Sequence, residues 1–322
     1  MTNVLVTSAG RRVSLIKAFM AAAHARGGRV LAGDASPLAP ALMIADAARQ
    51  LPPITSPDYV GHLLEIVKQD SIGLVVPTID TELAVLAENR EAFAAEDCLA
   101  LVSSSEFIKI CADKYSTDRA LSAHGIAMPR SWMPTELTDE VHLPAHMFVK
   151  PRSGSASIDT HRATPETVQE IARMVPGAIV QEELTGPEIT VDALLDLTGL
   201  PLHYVPRRRL RTMSGESIQG VTLDDADVKD WILRVLQVIS NMGAIGPVTL
   251  QAFLTHDGPI LIEINPRFGG GFPLAQAAGG HYPEWLIAMI NGEATSAALG
   301  DYRRGLYMTR YHVELFTERL PW

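Results

Sequence analysis

The chain has 322 residues, 47% hydrophobic and 20% charged, with 24 glycines, 21 prolines and a formal net charge of −10. That composition excludes disorder, collagen and coiled coil, and a chain near 300 residues typically buries about 75% of its unfolded surface, so no covalent staple is needed. The acidic balance argues against a broad electrostatic footprint on nucleic acid or an anionic membrane, so neither is expected as a partner.

The N-terminal stretch MTNVLVTSAGRR is only briefly apolar, and no segment approaches the roughly 20 apolar residues of a membrane span. Cys98 and Cys111 form no C-x-x-C and are too few for a disulfide framework. They read as small buried residues of a protein in a reducing compartment, so a cytoplasmic location is expected and a zinc site is not.

Val4–Val6, Arg29–Ala32, Leu74–Val76 and Leu99–Val102 are short apolar runs, the pattern of strands buried on both faces of a parallel sheet. Helices are predicted between them. Ser56-Pro57 offers an N-cap and a first-turn proline ahead of an apolar stripe at Tyr59, Val60, Leu63, Leu64 and Val67, and Ser103 with Glu106 has capping-box spacing. The alternation over residues 1 to about 112 predicts a doubly wound α/β unit, its switch-point loops carrying Thr7, Ser8, Gly10, Arg11, Arg12, Asp34, Thr78, Asp80 and Glu82. These are helix caps or substrate contacts. Gly-x-Gly-x-x-Gly is absent, so a dinucleotide site has no fingerprint. The apolar face from Leu15 to Ala23 fits core or a homodimer contact equally well.

After about residue 113 the pattern changes. Phe148–Lys150, Ala178–Gln181, Glu188–Leu195, His203–Val205, Val248–Phe253 and Ile260–Ile264 read as strands of an antiparallel, hairpin-connected sheet, with an amphipathic helix over about 226–242. This is an α+β unit, with Pro134–His146 as a surface connection inside it.

One hairpin has a polar inner surface. A turn around His256-Asp257-Gly258 joins two strands so that Gln251 and Glu263 fall roughly opposite each other, and strand alternation puts Glu263, Asn265 and Arg267 on one face. Glu263 inside the run ILIEI needs a compensating cation: a hard divalent ion, or Arg267 in an internal ion pair. The loop Lys150-Pro-Arg-Ser-Gly-Ser-Ala-Ser157 is built of small residues over a lysine, which suits phosphate oxygens but is not a Walker A loop. Lys114, the acidic turn Gln181–Glu188, the basic run Arg207–Arg211, the Phe268–Phe272 glycine loop and His281 are each uninformative alone.

Taken in order, Asp113-Lys114, Phe148-Val149-Lys150-Pro151, Gln181-Glu182-Glu183-Leu184-x-Gly186-x-Glu188, Gln251 and Ile262-Glu263-Ile264-Asn265-Pro266-Arg267 resemble the ATP-grasp superfamily. The likeness is to a single synthetase module of the carbamoyl-phosphate synthase large subunit and covers most of the chain. It implies an N-terminal domain over 1–112 and an ATP-grasp domain over 113–322, with antiparallel sheets and a lid at about 122–185. It implies ATP and Mg²⁺, with Mn²⁺ as an alternative.

By the same resemblance Lys114 and Lys150 meet phosphates, and Ser153, Gly154, Ser155 and Ser157 close over them. Glu182, Glu183 and Leu184 offer backbone to adenine and Glu188 holds ribose. Gln251, Glu263 and Asn265 surround the metal, and Arg267, Arg207 and Arg209 stabilise the transferred phosphoryl group or an anionic substrate. The implied chemistry is phosphorylation of a small-molecule carboxylate and its coupling to an amine or ammonia. A phosphotransferase releasing acyl or carbamoyl phosphate and a non-catalytic ATP-binding subunit are the alternatives.

Overall fold

The computed structural model describes residues 1–138, 140–154, 159–213 and 216–322. Strands β1 (Asn3–Thr7), β2 (Val30–Asp34), β3 (Ala47–Gln50), β4 (Ile72–Pro77) and β5 (Leu99–Ala100) form a parallel sheet in the order β3-β2-β1-β4-β5. Because strand side chains alternate, Val4 and Val6 join a core with Ile16 and Phe19 of α1 (Val13–His24). Leu5 joins another with Tyr59, Leu63 and Val67 of α2 (Tyr59–Asp70). Covered on both faces, this is the doubly wound unit expected, and its order reverses between β1 and β4, where such sheets open a crevice. The edge strand β3, reading Ala-Ala-Arg-Gln, has no apolar run and was not foreseen.

The other α-helices of this half are α3 (Asp80–Glu88), α4 (Arg90–Ala94) and α5 (Ser105–Cys111), and α6 (Lys114–Ala123) opens the part that follows. Two cap assignments are corrected. α2 begins only at Tyr59, with Asp58 rather than Ser56 at its N-cap and no side-chain cap bond, because Ser56-Pro57 forms a preceding turn. α5 is capped by Ser104, whose hydroxyl accepts from the Phe107 N–H at 3.2 Å, while Ser103 pairs with the Ile245 backbone.

The antiparallel strands form two sheets, as the resemblance implies, although the strand pattern alone read as one. β6 (Ser131–Trp132), β7 (Met147–Pro151), β8 (His161–Ala163) and β9 (Ala178–Glu182) make a small sheet ordered β6-β9-β7-β8, with α7 (Val168–Met174) on a core of Met147, Val149, Val168 and Val180. β10 (Glu188–Leu195), β11 (Pro201–Met213), β12 (Glu216–Thr222), β13 (Gly246–Thr255), β14 (Gly258–Asn265) and β15 (Tyr307–Thr309) make the larger, ordered β14-β13-β10-β11-β12-β15. The chain leaves one sheet for the other at Gly186, whose φ of +134° and approach to the Leu254 carbonyl leave no room for a Cβ.

Beneath the larger sheet α8 (Lys229–Asn241) buries Ile232, Val235, Leu236 and Ile239, and α9 (Phe272–Ala277) and α10 (Tyr282–Ile290) follow β14. The α1 face is core of this chain rather than a subunit contact: Phe19 meets Phe268 edge-on, ring centroids 5.7 Å apart. Among the described residues no helix is long and apolar enough to cross a membrane.

Candidate active site

A cleft of about 860 Å³ opens between the two antiparallel sheets and runs to the N-terminal unit. Its floor is set by strand register. Arg207, Thr190, Gln251 and Glu263 are successive partners across β11, β10, β13 and β14, and Asp192, Thr249 and Asn265 form the next row on the same face. On the other side lie Glu188 and its partner Phe253. Phe148, Leu184, Phe253 and Ile262 make one end apolar, and Arg12, Arg207, Arg267 and Gly269–Gly271 make the other polar. The pairing of Gln251 with Glu263 is the one the hairpin predicts.

The small sheet supplies Lys150, and α6 supplies Lys114. Lys114 begins α6 and donates to the Gly154 carbonyl at 2.9 Å and the Pro151 carbonyl at 3.3 Å, and Lys150 donates to Gln181 Oε1 at 2.7 Å. Asp113, just before, caps α6 through the Tyr115 N–H and pairs with Arg152, which ties the helix to the loop. Among the described residues neither amine has a carboxylate in salt-bridge contact. Burial, then the Lys114 charge, push the Lys150 amine down to about 8, with Glu263 opposing. Burial also lowers Lys114.

Three guanidiniums share one pattern. Arg207 is gripped by Asp192 at 2.6 Å with both side chains 3% exposed, Arg209 by Glu188, and Arg267 by Asp80 at 2.6 Å. Each keeps a buried nitrogen without a partner: Arg207 Nη1, Arg209 Nε and Arg267 Nε. A buried N–H left unpaired costs about 1–3 kcal/mol, so three around one cleft mark a place for acceptor oxygens.

The Glu263–Arg267 ion pair weighed from the sequence is not formed. Arg267 instead donates to Asn265 Oδ1 at 3.0 Å and the Phe268 carbonyl at 3.2 Å, leaving Glu263 facing the cleft. Gln251, Glu263 and Asn265 thus present side-chain oxygens along adjoining rows, a donor set that fits a hard divalent cation completed by phosphate and water. Among the described residues no three His, Cys, Asp or Glu side chains cluster for a metal.

Other expected contacts fall differently. Ser153 and Gly154 line the cleft, and Ser155 and Ser157 lie outside the described residues. Glu182 and Leu184 line it, but Glu183 turns to Arg162 at 2.9 Å. The Glu182 and Glu183 N–H groups are already spent on the Arg130 and His146 carbonyls, which removes them as donors to a base. Glu188 reaches the cleft with its carboxylate already engaged by Arg209. His281 is an exposed N-cap residue beside Trp285, making no cap bond.

The switch-point loops hold themselves. Asp34 accepts from the Gly10 N–H and the Ser36 N–H, both at 2.7 Å, Thr78 Oγ1 donates to the Ser8 carbonyl at 2.6 Å, and Ser8 Oγ donates to Glu82 at 2.9 Å. Ser8 and Asp34 are therefore loop struts, and only Arg12 of this group enters the main cleft. Asp80 lines a smaller neighbouring cavity of about 200 Å³ with Leu83, Ile108, Cys111, Lys114 and Glu263. Burial pushes the Cys98 thiol up to about 12 and Cys111 higher still, so both are inert apolar fillers.

Glu82 is fully buried, also accepts from the Tyr59 hydroxyl, and burial raises its carboxyl above the ordinary range. A raised folded-state value stabilises the fold at acid pH, and that contribution is lost as pH rises through it. Glu82→Gln, which mimics the protonated acid, is expected to leave the thermal midpoint unchanged in acid and to raise it increasingly as pH climbs past the raised carboxyl. A lower midpoint in alkali would show that the carboxylate form is the one held.

Sequence reasoning missed Asp192 and the pairing of Asp80 with Arg267. Asp192 had a visible signal, the polar alternation Glu188-x-Thr190-x-Asp192 in an otherwise apolar strand. Asp80 had none as a partner of Arg267, which is 187 residues away.

Comparison with known proteins adds relatives. Residues 4–101 match the family "PylC-like, N-terminal domain", and residues 174–312 match "ATP-grasp in the biosynthetic pathway with Ter operon". A D-alanine–D-alanine ligase of Corynebacterium urealyticum is 28% identical over 187 residues, 49% of this chain and 51% of that protein. The chain spans about half the length of the curated relatives it matches. The biotin carboxylase domain of Hydrogenobacter thermophilus 2-oxoglutarate carboxylase, solved with MgADP and bicarbonate, superposes with TM-score 0.73 at 15% identity, covering 95% of this chain and 73% of that one. An L-amino acid ligase from Bacillus licheniformis gives 0.70 at 17%, covering 94% and 78%.

Proposed function

We propose that the chain is an ATP-grasp protein, as the family match over residues 174–312 and the shared fold support, and that it is an ATP- and Mg²⁺-dependent ligase joining a small-molecule carboxylate to an amine or ammonia. The observation that carries this reading is that two amines without a carboxylate in salt-bridge contact among the described residues, Lys114 and Lys150, line the same cleft as the oxygen row Gln251, Glu263 and Asn265, with Arg267 at its end. The named activities of the D-alanine and L-amino acid ligases support it.

In this reading residues 1–112 close one side of the site, 113–322 hold the nucleotide, and the segment at about 122–185 is its lid. Adenine lies at the apolar end against Phe148, Leu184 and Phe253, and Lys114 and Lys150 receive the phosphates. Gln251, Glu263 and Asn265 would hold Mg²⁺, which when bound would neutralise and orient the phosphate oxygens. One carboxylate oxygen of the acid attacks the γ-phosphorus, the bond to the β–γ bridging oxygen breaks, and ADP leaves with that electron pair. The amine lone pair then attacks the acyl carbon, the carbon–oxygen bond to phosphate breaks, orthophosphate leaves with the pair, and nitrogen sheds a proton to solvent.

Arg267 is aimed by Asp80 and Asn265 so that its free Nε can meet charge spreading over the phosphoryl oxygens. Orthophosphate release that requires an acid and an amine together tests the proposal. ATP turnover with the acid alone, leaving acyl phosphate in solution, would replace ligation by a phosphotransferase.

The Lys150 amine gives a pH test. A triphosphate favours the protonated amine, which is in place below about 8; above that value each binding event must take up a proton. The KM for ATP is expected to be flat in the acid range and to rise by up to about tenfold per pH unit in alkali. A KM that stays flat throughout would take Lys150 off the phosphates.

A further inference from the structure

At the polar end of the cleft, beyond the oxygen row, Arg207 and Arg267 line the wall. Each is held by one carboxylate, Asp192 and Asp80, and each keeps a buried nitrogen without a partner. Arg207 is 2% exposed, and its Nη1 is among the buried side-chain nitrogens without a partner. On β11 it stands two strands from Gln251, about 10 Å across the sheet at about 4.8 Å per strand. It cannot swing toward the metal row, because Asp192 grips its Nε edge and Gly271 packs against the guanidinium so closely that a Cβ there would collide with it. Arg207 is therefore a fixed donor, offset from the triphosphate, with one buried nitrogen still lacking an acceptor.

Resting on the ligase reading, we infer that the acid substrate carries a second anionic group, a carboxylate or a phosphate, which Arg207 receives while the reacting carboxylate lies at Arg267. The class is a short dianionic acid. A charged acceptor gains more from a guanidinium N–H than a neutral one does, and its absence leaves Nη1 buried and unanswered.

The test measures orthophosphate release by the full chain with ATP, Mg²⁺ and ammonia or an amino acid. The acids are short dicarboxylates, phosphorylated hydroxy acids, and for each the matching monocarboxylate and monoamide. A dianionic acid is expected to exceed its monocarboxylate and monoamide by about 10- to 100-fold in kcat/KM. Which dianion leads identifies the second group as carboxylate or phosphate. The paired variant Arg207→Gln with Asp192→Asn, which leaves no lone buried charge, should reduce that preference to near unity. Equal turnover of dianion and monoanion by the wild type, or a preference that survives in the paired variant, overturns the assignment and leaves the ligase reading intact. Should the variant not fold, the wild-type comparison alone decides. Turnover that ignores every acid and amine overturns both.

Discussion

Replacing Glu263 by Gln is expected to lower Mg²⁺-dependent ATP turnover by about 10²- to 10³-fold, the scale of losing one electrostatic group that acts at the reacting phosphate. The side chain keeps its shape and its place opposite Gln251, so the hairpin should hold and the thermal midpoint stay close to wild type. What disappears is the one full negative charge in the Gln251, Glu263 and Asn265 set. The Mg²⁺ concentration needed for half-maximal rate should rise, and orthophosphate release against metal concentration measures both effects. Full turnover in this variant would mean that the carboxylate is only a strand-end acid.

The second large effect is expected at Arg267. Arg267→Met should cost about 10²- to 10³-fold in kcat while changing the KM for ATP only a few-fold, since the guanidinium is asked to meet charge that develops during transfer. Asp80→Asn, which leaves Arg267 in place but loosens its aim, should cost less, about tenfold in kcat. Steady-state kinetics on both separate the two roles. A loss confined to KM in either variant would make the pair a binding contact or a tie between the N-terminal sheet and β14. Arg267→Met leaves Asp80 without its partner, but that carboxylate is 35% exposed and solvent can reach it, so folding should survive.

Much of this was legible because the informative signals were local. Alternation and a tight turn were enough to set Gln251 against Glu263, and short apolar runs separated by helical stripes were enough for the parallel sheet. What stayed hidden depended on partners distant in sequence. Nothing near Arg207 says that it is buried, because the cause is Asp192 on the neighbouring strand and the packing of Gly271. The separate small sheet was implied by the resemblance but not by the strand pattern, because its strands are as apolar as those of the large one and Gly186 marks the break. Ser103 and Ser104 are both good caps by type, and the choice went to Ser104 because Ser103 is drawn into a contact with Ile245.

The central claim is that a carboxylate oxygen attacks the γ-phosphorus, and heavy-oxygen transfer tests it most directly. With the acid labelled in its carboxylate, mass spectrometry of the orthophosphate released during ligation should find one labelled oxygen per phosphate. Orthophosphate emerging with none would show that no acyl phosphate forms, and would contradict the account.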